Sequence, residues 1–575
     1  MKLKNRFLKN KLSMCISASI ASLVSSTYAD AQVQIEEIVV TSSFIDRTVD
    51  EIINPLHIVN GEEISSSATQ SLGETLDGLL GVSSADYGSA VGQPIIRGLS
   101  GGRVKVLNNG MVVRDVSGLG GDHNVEIDLN NVDQIEVVRG PSSLLYANGG
   151  IGGIVNIVDS TIAREDFSES DLRLGLESQS VNDGETYDFS YQNNMGGLNF
   201  SLGYKKSQFG DFDIPDGAVL HDEEEHEEDH EEGHEDEGHE ENLGYLMNSD
   251  SETETKRFGV SKVGDWGYFG VSVNNNESLY GIPFHGDDHD DDHDDDHDDD
   301  HVEEIDSFNK DFNNSSLALS IGRDINENVD INFGISRVER APNAVELFMN
   351  GPHLATGRLE NGNTNLKSES ASNLDLTVNV SMGAFFGSFT LFKNDIDNYI
   401  YLQDETEEEH EEHEEEHDDH EGLILANYMQ KDAKLKGYEF ELGGVFELGR
   451  GDLTVSYAKD SVQGKFKDGS NIARMIPSRN FYTVSYSHDD LKVALNLKDV
   501  FSQNDIAVGE TSTEAFQMLD LKIQKTFNLF NDSELNLSVF ANNLFDEVAR
   551  NHTSFVKNEV PLPGRNYGIR ASIKF

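Results

Sequence analysis

The chain has 575 residues, a formal net charge of −62, 52 glycines, 10 prolines and one cysteine. About 40 of its 105 acidic residues fall in three short tracts, which leaves an ordinary balance of about 65 acids against 43 bases elsewhere. This charge argues against nucleic acid as a partner and favours cations. The single Cys15 lies near the start, so the rest of the chain has neither a disulfide nor a thiolate metal site.

The first 31 residues predict a secretory signal peptide. Five lysine or arginine residues occur in the first eleven positions, and an apolar run follows from Leu12 to Val24. Small residues at Ala29 and Ala31 supply a cleavage site. No other stretch has the ~20 apolar residues that a membrane helix needs. We therefore expect an exported protein.

Two Arg-Gly turns organise residues 51–160. The turn at Arg97-Gly98 precedes a hairpin closed at Asn109-Gly110, and the turn at Arg139-Gly140 lies between two apolar strands. Glycines suit tight turns and close backbone approach because they lack a Cβ. Apolar positions also predict a helix from Ser67 to Leu80. This part of the chain is therefore expected to be a small α+β domain.

The motifs EEIVVT, IIRG, LNNG and VVRGPSSLLY follow one another between residues 36 and 160. In this order they resemble the plug domain of TonB-dependent outer-membrane receptors. The resemblance implies a β-barrel around the plug, and a plug held in the barrel through pairing of Arg97 and Arg139 with wall glutamates. It also implies that residues 32–50 carry a TonB box, which adds a strand to the periplasmic TonB energy-coupling complex. The box residues are Glu37, Ile38, Val39, Val40 and Thr41. An ordinary first strand of the plug is the alternative interpretation of this segment.

Residues 161–575 predict an all-β transmembrane barrel. Apolar residues alternate with small or polar ones, as from Leu491 to Leu497, which fits a wall between lipid and a wet lumen. Short links alternate with long loops and give about sixteen strands. This alternation places residues 221–241, 285–304 and 404–421, the three acidic tracts, in extracellular loops. The last strand, Tyr567 to Phe575, ends on an aromatic residue and resembles the assembly signal of outer-membrane barrels. We expect a monomer in the outer membrane of a Gram-negative cell.

The strand count departs from the resemblance. Plugged receptors of this class have 22 strands, six more than the sixteen that this sequence predicts. The family is expected to continue through further hairpins at the join near residues 306–313. Either the count misses strands or the chain lacks three hairpins, and a narrower barrel would change how the plug is held.

The acidic tracts hold 14 of the 19 histidines. Imidazole together with carboxylate is a ligand set for Zn²⁺, and also for Ni²⁺, Co²⁺ or Cu²⁺. Self-repelling acidic sequence favours disordered loops that collect metal, and a merely solvated acidic loop is the alternative. The histidines of these metal-capture loops are His221, His226, His230, His234, His239, His285, His289, His293, His297, His301, His410, His413, His417 and His420.

Two further motifs suggest a discrete metal site. Asp122 and His123 lie in a glycine-rich plug loop, and His353 lies in the sequence NGPHLAT of a long loop. These motifs resemble the zinc-receptor (ZnuD-like) branch of the family, which implies that the three residues bind Zn²⁺ between loop and plug. Four-coordinate zinc needs one more carboxylate, which the sequence does not place. Capping of a turn by Asp122 and packing of His353 are the structural alternatives.

Other functions are weighed against zinc import. Arg340-Ala341-Pro342 and residues 362–366 flank His353 and resemble the paired boxes of haem receptors, so haem is the alternative ligand. A passive metal-binding surface porin is a further alternative. The tracts match the zinc-protease pattern H-E-x-x-H, but that chemistry requires a buried helix with an apolar back. The protein is therefore not expected to be an enzyme.

Overall fold

The computed structural model describes residues 39–40, 47–48, 56–65, 69–129, 132–218, 244–283, 310–405, 423–529 and 533–575. The predicted signal peptide, the histidines of the three tracts, and Glu37, Ile38 and Thr41 of the predicted TonB box lie outside these ranges. Val39–Val40 (β1) pairs antiparallel with Arg47–Thr48 (β2). Among the described residues no helix has the length and apolar character needed to cross a membrane.

The plug is a small α+β domain with a five-stranded sheet of order β3-β8-β9-β6-β7 and a separate β4-β5 hairpin. Buried side chains such as Leu76, Ile135 and Val155 fill the space between sheet and helices. The elements are β3 (Leu56–Asn60), α1 (Gly61–Ser65), α2 (Leu72–Leu76), β4 (Val82–Asp86), β5 (Gly92–Ile96), β6 (Val104–Asn108), β7 (Met111–Val112), β8 (Val132–Val138) and β9 (Gly153–Asp159).

The predicted plug helix is shorter than the sequence pattern suggested. Ser71 caps α2 by accepting a hydrogen bond from the backbone N–H of Glu74 at 3.2 Å. The helix ends at Leu76, and the chain then turns through Gly81, which has a φ of +69°. The apolar positions Leu79 and Leu80 therefore belong to the turn that leads into β4.

In the part of the chain that the structure describes, the wall around the plug consists of sixteen antiparallel strands. The strands are β10 (Asp171–Gln179), β11 (Gly184–Met195), β12 (Leu198–Phe209), β13 (Ser251–Gly264), β14 (Gly267–Tyr280), β15 (Leu317–Asn326), β16 (Val329–Arg340), β19 (Glu369–Met382), β20 (Phe385–Asp404), β21 (Ile424–Leu448), β22 (Gly451–Phe466), β23 (Arg479–His488), β24 (Leu491–Val500), β25 (Phe516–Asn528), β26 (Glu534–Asn542) and β27 (Asn566–Lys574). The loop after β16 contains α3 (Ala344–Phe348) and the hairpin β17 (Asn350–His353) and β18 (Arg358–Asn361). The all-β barrel with an N-terminal plug and about sixteen strands is confirmed.

The strands form one ring in which the first strand, β10, pairs with the last, β27. β14 and β15 are successive in this ring. Within the described residues, β14 is registered only with β13 and β15 only with β16. The chain between these two strands contains residues 306–313, where the family was expected to continue through further hairpins. The described wall therefore lacks a strand register only at this join, where the sequence predicted a departure from the family barrel.

All long loops leave the same end of the wall. Tight turns, such as that between Leu448 and Gly451, join the described strands at one end of the wall. The three segments that contain the acidic tracts join strands at the other end. β20 and β21 extend well beyond their neighbours. The loop predicted from Asn398 to Lys434 is correspondingly shorter, because Ile400 to Asp404 pairs with residues 426–430.

Buried ion pairs join the plug to the wall. Arg97 Nε lies 2.8 Å from Glu439 Oε1 on β21, and its Nη1 lies 2.5 Å from Asp375 Oδ1 on β19. Arg139 Nη1 lies 2.8 Å from the same Glu439 Oε1. A second pair, Arg479 on β23 with Asp77 after α2, lies 3.2 Å apart. The plug is thus fixed against β19, β21 and β23.

Candidate metal-ion site

One wall of the candidate site is the plug loop after β7. Asp115 caps a short 3-10 turn at Val116–Gly118 by accepting a hydrogen bond from the backbone N–H of Ser117. Gly120 follows and brings the backbone close to Asp122. A Cβ on Gly120 would lie only 2.2 Å from Asp122 Oδ1 and 3.3 Å from His353 Cε1. The glycine therefore leaves the space in which the two side chains meet.

The opposite wall is the β17–β18 hairpin in the loop after β16. Its register places His353 opposite Arg358 and Gly351 opposite Glu360. β18 also pairs in parallel with the extended end of β21, so the hairpin is held against the barrel wall. Gly357, with a φ of +62°, ends the short 3-10 turn between the two strands. This turn lets the chain return and bring Glu360 back to His353.

The hairpin and the plug loop meet at His353. His353 Nε2 lies 3.1 Å from Asp122 Oδ1, and His353 Nδ1 lies 2.7 Å from Glu360 Oε1. Asp122 and Glu360 are almost fully buried, whereas the His353 side chain retains 21% of its exposure. The imidazole therefore lies between two buried carboxylates and is accessible from the loop side.

Charge at this position is strongly polarised. The carboxylates of Asp122 and then Glu360 stabilise the imidazolium and raise the pKa of His353 to about 10. Burial alone would raise the pKa of Asp122, but contacts with His353 and then His123 lower it. A place that favours a protonated imidazole also favours another cation. Asp122 Oδ1 is buried and has no partner in hydrogen-bond geometry among the described residues, so it retains acceptor capacity.

His123 is adjacent but not directly engaged. Its Nε2 lies 3.7 Å from Asp122 Oδ2, and its side chain is one-third exposed. As the side chains stand, the described part of the chain has no group of three or more His, Cys, Asp or Glu arranged to hold a metal ion. Both ring nitrogens of His353 already lie next to carboxylates, Nε2 at 3.1 Å from Asp122 Oδ1 and Nδ1 at 2.7 Å from Glu360 Oε1. A metal ion would have to displace the ring proton and draw these groups inward.

Glu360 is the residue that sequence reasoning missed. Its Oε2 accepts a hydrogen bond from Tyr428 at 3.2 Å, and its Oε1 accepts one from Thr356 at 3.3 Å. The sequence shows only that it lies seven residues after His353. The hairpin register that joins the two could not be read from a loop without alternating apolar residues.

A cavity of about 1060 Å³ opens beside the site. Its lining includes Gly120, His353, Glu360 and Tyr428, together with residues from several barrel loops. The cavity lies between the plug and the loop end of the barrel, on the same side as the strand ends that flank the acidic tracts. Plug residues such as Gly118 and Gly120 thus line the same cavity as His353 and Glu360 of the hairpin.

Arg340 of the predicted haem box and Asp404 of the third acidic tract both form buried ion pairs near the site. Arg340, in the first predicted haem box, is buried and contacts Glu346 at 2.9 Å and Glu369 at 2.7 Å, so its guanidinium supports α3 and β19. Asp404, taken as the first residue of the third acidic tract, pairs with Arg358 at 2.7 Å. The tract therefore begins beyond this buried residue, and Asp404 is not a free metal-capture acid.

Comparison with known proteins identifies the family. A family description, "TonB dependent receptor-like, beta-barrel", matches residues 144–544, and "TonB-dependent Receptor Plug Domain" matches residues 48–154. These matches cover most of the chain and follow its two structural parts. The chain therefore belongs to the TonB-dependent receptor family, whose members are outer-membrane receptors and transporters, not enzymes, and work with the TonB energy-transducing complex.

Individual relatives are more distant. The vitamin B12 transporter BtuB of Photobacterium profundum is 28% identical over 161 residues, which is 28% of this chain and 26% of the relative. The chain thus matches only about a quarter of the length of that protein. The copper transporter OprC superposes with a TM-score of 0.63 at 15% identity, covering 90% of this chain and 99% of OprC. The siderophore receptor PirA from Pseudomonas aeruginosa gives 0.54 at 15% identity, covering 90% and 99%. These structural similarities show the fold alone.

Proposed function

We propose that this receptor imports a divalent transition metal, with zinc as the first candidate. The observation that carries the proposal is the meeting of His353, Asp122 and Glu360 at the cavity between loop and plug. Imidazole and carboxylate from two separate parts of the chain form a ligand set suited to Zn²⁺. Glu360 accepts a hydrogen bond from His353 Nδ1 and orients the ring so that Nε2 faces Asp122, as an outer carboxylate does beside a zinc-bound histidine.

The route has three stages. The histidine-rich tracts raise the local concentration of metal at the loop end of the barrel. The ion then replaces the proton on His353 Nε2 and binds between this nitrogen and the carboxylate of Asp122, while Glu360 holds Nδ1. Energy delivered through the TonB box, Glu37 to Thr41, displaces part of the plug and releases the ion inward. Because Asp122 and His123 belong to the plug and His353 to the barrel, plug movement separates the ligands.

The copper transporter and siderophore receptors of similar fold agree with a metal-related cargo in general terms. A second candidate is a large organic ligand such as haem or vitamin B12. The cavity of about 1060 Å³ favours it, because such a volume exceeds the needs of a hydrated ion. The two candidates differ in how substitution of the carboxylates affects uptake. Metal uptake requires both Asp122 and Glu360, whereas uptake of haem or vitamin B12 would not depend on the two together.

Radiolabelled zinc uptake in cells with and without TonB tests the proposal. We expect TonB-dependent uptake that Asp122→Asn, His353→Ala and Glu360→Gln each reduce at least tenfold. His488→Ala is the matched control, because His488 lies 3.7 Å from Asp489 and 3.8 Å from Asp490 at the tight-turn end of the barrel. Competition by nickel, cobalt, copper, haem and vitamin B12 defines selectivity. Uptake of haem or B12 without zinc binding in a direct titration would contradict the proposal.

A further inference from the structure

The outward face of β21 is apolar along most of its length and becomes basic near the loop end. Glu439 on the opposite face contacts the plug, so the even-numbered positions face outward. From the tight-turn end these positions are Leu448, Phe446, Gly444, Leu442, Phe440 and Tyr438, followed by Lys436 and Lys434. Ten residues of a tilted strand cover about 25 Å, the height of an apolar barrel band. Lys436 therefore stands at the extracellular boundary of that band.

Lysines of the two neighbouring strands converge on the same level. Lys393 of β20 lies directly opposite Lys436, and Lys459 of β22 lies opposite Phe440. These three lysines line an outward groove of about 740 Å³ together with Tyr438 and Phe501. The groove opens on the outer surface of the wall, away from the plug and the candidate metal site.

The charges in the groove are only partly compensated. Lys393 contacts Asp395, and the Lys459 ammonium lies 4.8 Å above the Phe501 ring. Lys436 has no acidic partner within the residues that the structure describes. Like charges directly opposite on neighbouring strands destabilise a sheet, so the Lys393–Lys436 pair is unfavourable unless an anion lies between them. Among the described residues that line the groove, Asp505 is the one with a carboxylate.

Aromatic residues form a belt beside the lysines. The ring pairs Phe389–Tyr438, Phe440–Tyr457 and Tyr457–Tyr482 have centroid distances of 6.5, 6.1 and 5.2 Å and run across β20 to β23. Such a belt marks the interface between hydrocarbon and headgroups. The basic groove is therefore continuous with an apolar surface, as a lipid with acyl chains and an anionic headgroup requires.

We propose that this groove binds the phosphorylated headgroup of an outer-leaflet lipid. Lys393, Lys436 and Lys459 contact the phosphate, and Tyr438 and the belt contact the first part of the acyl chains. A basic pocket at a headgroup boundary is a recognised mode of lipid binding. A free anion would satisfy the lysines but leave the adjoining apolar surface unused. The bound phosphate relieves the repulsion between the two opposed lysines.

Native mass spectrometry of the full-length receptor tests this site. The probes are bisphosphorylated lipid A, its dephosphorylated form and inorganic phosphate. We expect wild-type receptor to retain bisphosphorylated lipid A and not the dephosphorylated form. The variant K393Q/K436Q/K459Q should bind roughly a hundredfold more weakly, from about a factor of five for each lysine. K206Q/K256Q is the control, since those exposed lysines already pair with Glu252 and Glu254.

Three results of the native mass spectrometry experiment would overturn the lipid-binding proposal. Equal retention of the two lipids by wild-type receptor overturns the proposal without reference to any variant, so a variant that fails to fold does not weaken the test. Full displacement of lipid A by millimolar inorganic phosphate also overturns it, because the site then binds a free anion. Undiminished binding by the folded triple variant, checked by its heat-dependent shift on a gel, places the lipid elsewhere.

Discussion

Arg97 of the plug and Glu439 of β21 form a buried two-point ion pair, with Nε to Oε1 at 2.8 Å and Nη2 to Oε2 at 3.2 Å. Arg139 shares the same carboxylate at 2.8 Å. One wall glutamate thus serves both Arg-Gly turns of the plug. The guanidinium of Arg97 also lies 4.1 Å from the centre of the Phe392 ring, which fixes it from the barrel side.

Glu439→Gln should loosen the plug. The substitution leaves two buried arginines with too little negative charge, and breaking a buried pair costs about 3–5 kcal/mol. We expect faster proteolytic cleavage of the plug in folded receptor, measured by timed trypsin digestion at several temperatures. Glu62→Gln is the control, because its pair with Lys492 is exposed and worth about 0–1 kcal/mol. Equal digestion of the two variants would show that Glu439 does not hold the plug.

The fold was largely predictable because its signals are local. The alternation of apolar and polar residues and the short turns predicted about sixteen wall strands. The motifs around the two Arg-Gly turns predicted the plug. Helix α2 was overextended because Leu79 and Leu80 continue its apolar spacing although the chain turns after Asp77. The lack of a register between β14 and β15 in the described part of the chain could not be predicted, since strand pairing depends on neighbours distant in sequence.

The candidate site was only partly predictable. Asp122 and His353 were found from short motifs, and the structure brings them to 3.1 Å. Glu360 was missed because its role depends on hairpin register and on Tyr428, which lies 68 residues further along the chain. Glu439 and Asp375, which pair with Arg97 from the barrel wall, do not belong to a recognisable sequence motif. Their role arises from facing the lumen at the height of the Arg-Gly turns.

Gly120→Ala should weaken metal binding without removing a ligand. Its Cβ would approach Asp122 Oδ1 to 2.2 Å, which forces the carboxylate away from His353. We expect zinc affinity to fall roughly tenfold, corresponding to about 1.4 kcal/mol, in a calorimetric titration of purified receptor. Gly118→Ala is the control, since its Cβ meets nothing within 4 Å. Unchanged affinity in Gly120→Ala would exclude Asp122 as a ligand in its present position.

Acid should release the loops around Glu510. Burial opposes ionisation of Glu510, but contacts with His552 and then Lys557 lower its pKa to about 2, and the backbone N–H groups of Ala507 and Arg474 also donate to it. A carboxyl with a depressed folded pKa stabilises above its unfolded pKa of about 4.5 and loses that contribution as the pH falls towards 2. Burial lowers the pKa of His552, so acidification below about 6.5 also favours the open loops.

Hydrogen exchange of amides in residues 551–558 as a function of pH measures this effect. After correction for intrinsic exchange rates, protection should decrease from pH 6 to pH 3, by up to about 2 kcal/mol for Glu510. Glu510→Gln should show lower protection at pH 7 and a flatter profile. The same pH profile in wild type and Glu510→Gln would assign the transition to another group.

The edges of β14 and β15 should be the least protected part of the wall. Phe269 and Val271 on β14 are 67% and 60% exposed, whereas Leu374 and Leu391 on fully paired strands are 42% exposed. Among the described residues no register joins β14 to β15, although the two strands are neighbours in the closed barrel, so we expect their facing edges to open more readily than strands with a register on both sides. Hydrogen–deuterium exchange in detergent should show faster exchange in β14 and β15 than in β21 and β22. Equal protection of all four strands would mean that the two edges pair with each other or with another segment in the membrane.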